Sequence, residues 1–108
     1  MQAEDLRRLA LALPEAEQRG HMGKEDFRVN NKVFATLPEP ARGVVKLTPE
    51  QQLMMCEAES AIFSPVPGGW GAKGWTSVHL EAVDEITLAS ALRTAWRNVA
   101  PKVLLTRA

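Results

Sequence analysis

The chain of 108 residues has the length of one domain and can bury a hydrophobic core without disulfides. Thirteen basic and thirteen acidic residues cancel, so no net field draws the molecule onto nucleic acid or an anionic membrane, and any anion-binding face must be local. One cysteine, no apolar run near the ~18 residues that span a bilayer, and no signal segment at the start together predict a cytoplasmic protein.

The first residues have the pattern of an amphipathic helix. Apolar side chains at spacings of three and four predict a helix over residues 2–13, with acidic residues in its first turn and Pro14 ending it. Residues 15–25 are polar and interrupted by glycine, so they form either an edge strand or a loop.

A β-hairpin follows. Phe27-Arg28-Val29 and the segment 32–37 flank Asn30-Asn31, and asparagine tolerates the positive φ that a two-residue hairpin turn requires. We expect this hairpin to place Phe27 opposite Phe34. The prolines and glycine of residues 38–43 then predict a loop.

The next elements are a short strand and a capped helix. Residues 44–47 are mainly apolar and predict a strand. Thr48 begins a capping box in which Gln51 reaches back to the cap, with Pro49 at the first helical position, so a helix is expected over residues 49–58.

The last elements complete the predicted fold. Residues 75–80 alternate like a strand, and Asp84 caps a helix over residues 85–99 that places Trp96 on its apolar side, in the core. The order of elements predicts an α+β fold over residues 1–108: a single two-layer domain with a mainly antiparallel sheet and helices on one face.

Glycines and tryptophans are concentrated in residues 65–83. Gly68, Gly69, Gly71 and Gly74 predict a turn that aims Trp70 and Trp75, with positive φ at Gly71 or Gly74. Strand alternation places Thr76, Val78 and Leu80 toward the core, and Trp75, Ser77 and His79 toward an edge or groove. Trp70 either folds back over the core or stands exposed.

Residues 69–74 also spell G-x-G-x-x-G, a dinucleotide-binding pattern. That pattern works only between a strand and a helix whose N-terminus meets the pyrophosphate. Here the residues after it alternate as a strand, so we interpret the glycines as a structural turn or a loop that does not bind a nucleotide.

Several short segments resemble the MmcQ/YjbR family of small bacterial proteins. In chain order they are His21-Met22-Gly23-Lys24 with Phe27-Arg28-Val29, Lys32-Val33-Phe34-Ala35, Val45-Lys46-Leu47 before Pro49-Glu50, Gly69-Trp70-Gly71 with Gly74-Trp75-Thr76, and Trp96 before Val99-Ala100-Pro101-Lys102. The resemblance implies a "double-wing" α+β domain, similar to the frataxin-like (CyaY-like) fold and to a phage transcription-factor domain that binds DNA. It implies DNA binding by analogy of fold, and it brings no catalytic motif and no cofactor.

The residues themselves indicate neither a catalytic nor a metal site. Cys56 and Ser77 lack a local motif that would bring a base and its orienting partner within hydrogen-bond reach. Two histidines and one cysteine without short ligand spacing disfavour zinc. We therefore expect a binding module that is not an enzyme, with Cys56 as a packing residue.

Two binding hypotheses remain. In the first, nucleic acid binds weakly and with strong salt dependence to Lys24, Arg28, Lys32 and Lys73, with Trp70 or Trp75 stacking on bases. In the second, Trp70, Trp75, His79 and His21 line a groove for a small ligand, an enzyme substrate or a protein partner.

Overall fold

A computed structural model describes residues 1–20 and 25–106. These residues form five helices and six strands, whose bounds are α1 Ala3–Leu11, β1 Glu17–Arg19, β2 Glu25–Val29, β3 Lys32–Glu39, β4 Arg42–Lys46, α2 Pro49–Ala58, β5 Phe63–Pro65, α3 Gly69–Ala72, β6 Trp75–His79, α4 Glu85–Val99 and α5 Lys102–Leu105. No helix in the described ranges is both long enough and apolar enough to cross a membrane.

The strands form one sheet in the order β1-β2-β3-β4-β6-β5, and every neighbouring pair is antiparallel. Asn30 and Asn31 join β2 to β3 with φ angles of 50° and 63°, which is the left-handed backbone that a two-residue hairpin needs. The predicted hairpin, its asparagine turn and the antiparallel sheet are therefore confirmed. Of the edge strand and the loop that residues 15–25 allowed, the edge strand is present as β1.

The core lies between one face of the sheet and the helices. α4 packs against β3 and β4, and α1 packs against α4 and β4. Trp96 of α4 is fully buried, as predicted, and its indole N–H donates to the Pro14 carbonyl oxygen at 3.0 Å. Val45 and Thr76, which are cross-strand partners, are also fully buried on this face.

Capping chemistry determines where two helices begin. Thr48 accepts a hydrogen bond from the Gln51 backbone at 3.1 Å, while the Gln51 side chain accepts one from the Thr48 backbone at 2.9 Å. Asp84 accepts from the Thr87 backbone at 2.7 Å, which holds the pKa of Asp84 below its ordinary value. Both predicted caps, and the helices that follow them, are confirmed.

The structure corrects two local predictions. Phe27 lies opposite Ala35 rather than Phe34, because a register shift at this point gives β3 one extra residue. Residues 38–43 are not a loop: β3 runs to Glu39, β4 begins at Arg42, and only two residues turn between them. Proline keeps the preceding residue in extended backbone. Pro38 lies where the pairing of β3 with β4 is irregular, so its lack of a backbone N–H group removes no hydrogen bond between the strands.

Candidate functional site

The sheet face opposite the helices carries an open groove of about 400 Å³. Its floor is mainly apolar and consists of Val33, Thr36, Pro38, Arg42, Val44 and Val66. The ladder places Thr36 beside Val44 and Val44 beside Ser77, so neighbouring strands contribute side chains to one continuous surface. The two tryptophans of the glycine-rich segment form the wall at one end.

Trp70 and Trp75 meet edge to face. Their ring centroids are 6.1 Å apart and their planes are 76° apart, the geometry that aromatic quadrupoles favour. Trp70 is 63% exposed and Trp75 is half-buried. Neither indole N–H has a hydrogen-bond partner within the described residues, so both are available to a ligand. Of the two placements predicted for Trp70, the exposed one is correct.

The backbone around the tryptophans is tightly constrained. Gly71 lies inside α3, where a Cβ atom would collide with the Val66 carbonyl group. Gly74 has φ 109°, and a Cβ atom there would collide with the Leu47 carbonyl group. The prediction of positive φ at one of these two glycines is confirmed at Gly74. Glycine is needed at both positions because the chain passes directly against neighbouring backbone.

Gln52 connects this loop to α2. Its Nε2 lies 3.0 Å from the Gly71 carbonyl oxygen, 3.1 Å from the Trp75 carbonyl oxygen and 3.1 Å from the Thr76 hydroxyl. One amide therefore contacts α3 and both sides of the bond between Trp75 and Thr76. We infer that it orients the tryptophan pair, a role that sequence analysis missed because only the fold brings these groups together.

Two lysines stand against the tryptophan rings. Lys73 Nζ lies 5.5 Å from the Trp70 centroid, and Lys46 Nζ lies 5.6 Å from the Trp75 centroid, both within cation–π range. Lys46 also donates to the Lys73 carbonyl oxygen at 2.8 Å. Within the described part of the chain, neither ammonium group makes an ion pair. This corner of the groove therefore combines aromatic surface with uncompensated positive charge.

Arg42 lies away from the lysines on the same strand face. Its Nη1 donates to Ser77 Oγ at 2.9 Å, and its Nε and Nη2 lie 3.4 and 3.3 Å from Glu39 Oε1. Sequence analysis missed Arg42 and Lys46 as site residues. The sequence does show that Arg42, Val44 and Lys46 are two residues apart and therefore share one face of a strand. Only the register with β6 shows that this face is the groove face.

The predicted nucleic-acid residues are only partly brought together. Trp70, Trp75 and Lys73 share one corner of the groove. Lys32 is exposed at the start of β3, but it pairs with the buried Val29 and precedes Val33 of the groove, so it lies on the other face of the sheet. Arg28 is instead bound by Asp26, with contacts of 2.8 and 3.1 Å, so its charge is largely compensated. Lys24 lies outside the described residues.

The predicted groove residues also separate. His79 is exposed at the last position of β6, whereas Trp75 is at the first. His79 pairs with Arg42 of β4 and does not line the groove. His21 lies outside the described residues. The groove that the structure shows is therefore formed by the tryptophans, aliphatic side chains of β3 and β4, and Arg42.

The polar groups give no catalytic constellation in the described ranges. Ser77 Oγ accepts from Arg42, and no histidine hydrogen-bonds to it or to Cys56 there. Cys56 is half-buried against the core, and this burial raises the pKa of its thiol. No group of three His, Cys, Asp or Glu side chains among the described residues could hold a metal ion.

Comparisons with known proteins place this fold. The chain is similar to Deinococcus radiodurans protein DR2400, a crystal structure with a domain described as DUF419, at 24% identity and a TM-score of 0.77. The alignment covers 95% of this chain and 82% of that one, and at this identity it shows the fold alone. No curated protein matches the chain. The YjbR family model matches residues 11–98, which include both tryptophans of the groove, and the chain therefore belongs to the YjbR family.

Proposed function

We propose that this protein is a binding module without enzymatic activity that holds single-stranded nucleic acid on the open face of its sheet. The observation that carries the proposal is the exposed Trp70–Trp75 pair with Lys46 and Lys73 beside it. Proteins that bind single strands combine aromatic side chains, on which bases stack, with cations that follow the phosphates. Both parts are present in one corner of this groove.

The charge distribution supports weak, salt-dependent binding. The whole chain is neutral, so affinity must come from local cations. Lys46 and Lys73 lie at one corner of the groove without a carboxylate partner among the described residues, whereas the Arg28 guanidinium is already bound by Asp26. Two phosphate contacts to a single strand predict a slope of roughly −1.4 for log affinity against log salt.

A single strand is favoured over a duplex because the groove presents flat aromatic surface. Base faces are free for stacking only when a strand is unpaired. In a duplex, the same lysines could contact phosphates, but the exposed Trp70 ring would gain no stacking partner. We therefore expect single-stranded oligonucleotides to bind more tightly than the matched duplex.

The second candidate is a small aromatic anion. Its support is the mainly aliphatic floor and the volume of about 400 Å³, which lies within the range of small-molecule sites. A protein partner is a further alternative for the same face. Strand length distinguishes a small-ligand site from a strand-binding site. In a small-ligand site, a single nucleotide would bind as tightly as a longer strand, whereas in a strand-binding site affinity rises with length.

Fluorescence anisotropy with labelled single-stranded and duplex oligonucleotides, at low and moderate salt, tests the proposal. Trp70→Ala should weaken single-strand binding about 5- to 150-fold, corresponding to one stacked base. The double variant Lys46→Gln, Lys73→Gln should make the salt slope shallower by about 1.4. Arg93→Gln is the matched control, because Arg93 is an exposed cation on α4, in the helical layer.

Two outcomes would overturn the nucleic-acid proposal. One is the absence of binding at low salt. The other is binding that Trp70→Ala and the double lysine variant change no more than Arg93→Gln does. In either case the groove would be tested next with aromatic carboxylates and phosphates, by following the fluorescence of Trp70 and Trp75.

A further inference from the structure

Three side chains of β4 face the groove in a row. Arg42, Val44 and Lys46 alternate with residues that face the core, and their ladder partners on β6 are His79, Ser77 and Trp75. Lys46 lies four residues after Arg42 along an extended strand, which is about 13 Å between their Cα atoms. A cation therefore stands at each end of the strand, with the aliphatic Val44 between them.

Arg42 is held in position yet keeps donors free. Its contacts with Ser77 and Glu39 use three N–H groups, and a guanidinium has five. The Ser77 bond has an ordinary length of 2.9 Å and Ser77 is buried, so one side of the guanidinium is anchored. Two N–H groups remain for a ligand that lies in the groove.

The Glu39 contact is weaker than the Ser77 contact. Its two distances, 3.3 and 3.4 Å, are at the long end for hydrogen bonds, and the Glu39 side chain is 61% exposed. Exposed pairs of this kind contribute little to stability. A phosphate, which binds a guanidinium through two parallel hydrogen bonds, could replace this carboxylate without disturbing the sheet.

From this arrangement we infer that Arg42 is a second anion-binding residue, which sets the length of strand that the groove selects. The inference rests on the proposed function. The ligand contacts the lysine corner through phosphates at one end and Arg42 through a phosphate at the other, with bases over Trp75 and Val44 between them. At about 3.4 Å per stacked nucleotide, 13 Å corresponds to about four nucleotides, and to fewer when the strand is extended.

Length-dependent binding tests this inference. Affinity for single strands of one to about six nucleotides should rise steeply until both cations are reached, at about four nucleotides, and then level off. Arg42→Gln should remove the gain from the later nucleotides and make the salt slope shallower by about 0.7, while the shortest strands bind as before. Arg42→Lys keeps the charge but loses the planar guanidinium that binds a phosphate through two hydrogen bonds. This variant should therefore retain the salt slope with several-fold lower affinity.

Glu39→Gln gives a second test of opposite sign. Removing the carboxylate that competes for Arg42 should tighten binding of four-nucleotide strands several-fold and should not change binding of a mononucleotide. This variant alters an exposed side chain at the end of a strand, so its folding is secure even if Arg42→Gln unfolds. Glu57→Gln, which removes an exposed carboxylate on α2, controls for the same change in net charge.

The outcomes separate this inference from the function on which it rests. If wild-type protein binds no strand of any length, the proposed function fails. If it binds, but Arg42→Gln leaves the salt slope and the length profile unchanged, Arg42 does not contact the ligand and the inference is wrong. An affinity that Glu39→Gln leaves unchanged would overturn it in the same way. Unfolding in urea, measured on each variant, must show wild-type stability for these comparisons to count.

Discussion

The Trp70 and Trp75 rings meet edge to face, although Trp70 belongs to the short helix α3 and Trp75 is the first residue of β6. The turn between them contains Gly74, whose φ of 109° allows the chain to reverse within a few residues. The pair therefore depends on backbone geometry that few residues other than glycine can adopt. Its stability can be tested separately from ligand binding.

Gly74→Ala should destabilise the protein by more than about 1 kcal/mol. Alanine is disfavoured at this φ, and its Cβ would also press on the Leu47 carbonyl group. Chemical denaturation monitored by circular dichroism measures the change. Gly69→Ala is the control, because a Cβ there meets open space and we expect it to change stability by less than about 0.5 kcal/mol. Equal effects at both positions would contradict this account of the turn.

Gln52→Glu should loosen the tryptophan corner. The substitution keeps the shape of the side chain but replaces the donor Nε2 with a carboxylate oxygen facing two carbonyl groups and a hydroxyl. We expect a loss of about 1–3 kcal/mol in the free energy of unfolding, together with a weaker near-ultraviolet tryptophan signal. Glu57→Gln changes an exposed residue of the same helix and should leave both measurements unchanged. A wild-type spectrum in Gln52→Glu would show that this amide does not orient the pair.

Asn31 tests the hairpin turn. Its φ of 63° is costly for a β-branched residue, so Asn31→Val should reduce the free energy of unfolding by about 1–2 kcal/mol. Asn31→Gly should stay within about 0.5 kcal/mol of wild type, because glycine is the preferred second residue of such a turn. Thermal and urea unfolding of the two variants provide the comparison. If valine and glycine behaved alike, the left-handed turn would be wrong.

The ion pair between Arg7 and Glu25 predicts a pH dependence of stability. Arg7 Nε and Nη2 donate to the Glu25 carboxylate at 2.8 Å, and these hydrogen bonds hold the pKa of Glu25 below its ordinary value. Because the folded pKa is lower than the unfolded one, the stabilisation is fully present above the unfolded pKa and is lost as pH falls through the folded pKa. Glu25→Gln should therefore be less stable than wild type at neutral pH.

That difference should shrink on acidification. Urea unfolding of wild type and Glu25→Gln at neutral pH and at several acidic values measures it, with Glu57→Gln as an exposed control. A difference that stayed constant from neutral pH to strong acid would mean that the Glu25 side chain contributes through packing rather than through its charge.

Local chemistry was sufficient to predict most of the elements of this protein, but residues 69–72, predicted as a turn, form the short helix α3, and the short helix α5 was not predicted. Helix periodicity, the capping box at Thr48 and the cap at Asp84 identified two helices with correct bounds, because these signals involve residues within about one turn of each other. The asparagine turn and Gly74 were predictable for the same reason, since positive φ is a property of single residues. The first helix runs from Ala3 to Leu11 and is shorter than the predicted residues 2–13, because the residue before Pro14 is disfavoured in helical backbone and the helix ends before it.

Long-range pairing decided the site. The extra residue at Phe34 and the short turn between β3 and β4 depend on how strands align, which no single segment specifies. That alignment sets Arg42, Val44 and Lys46 beside β6. The pairing of Arg28 with Asp26 is instead local, because residues two apart on a strand share a face, and it removes a cation that composition alone had made available. The sequence determined which residues could bind an anion beside an aromatic ring, and only the sheet register determined which of them share one face.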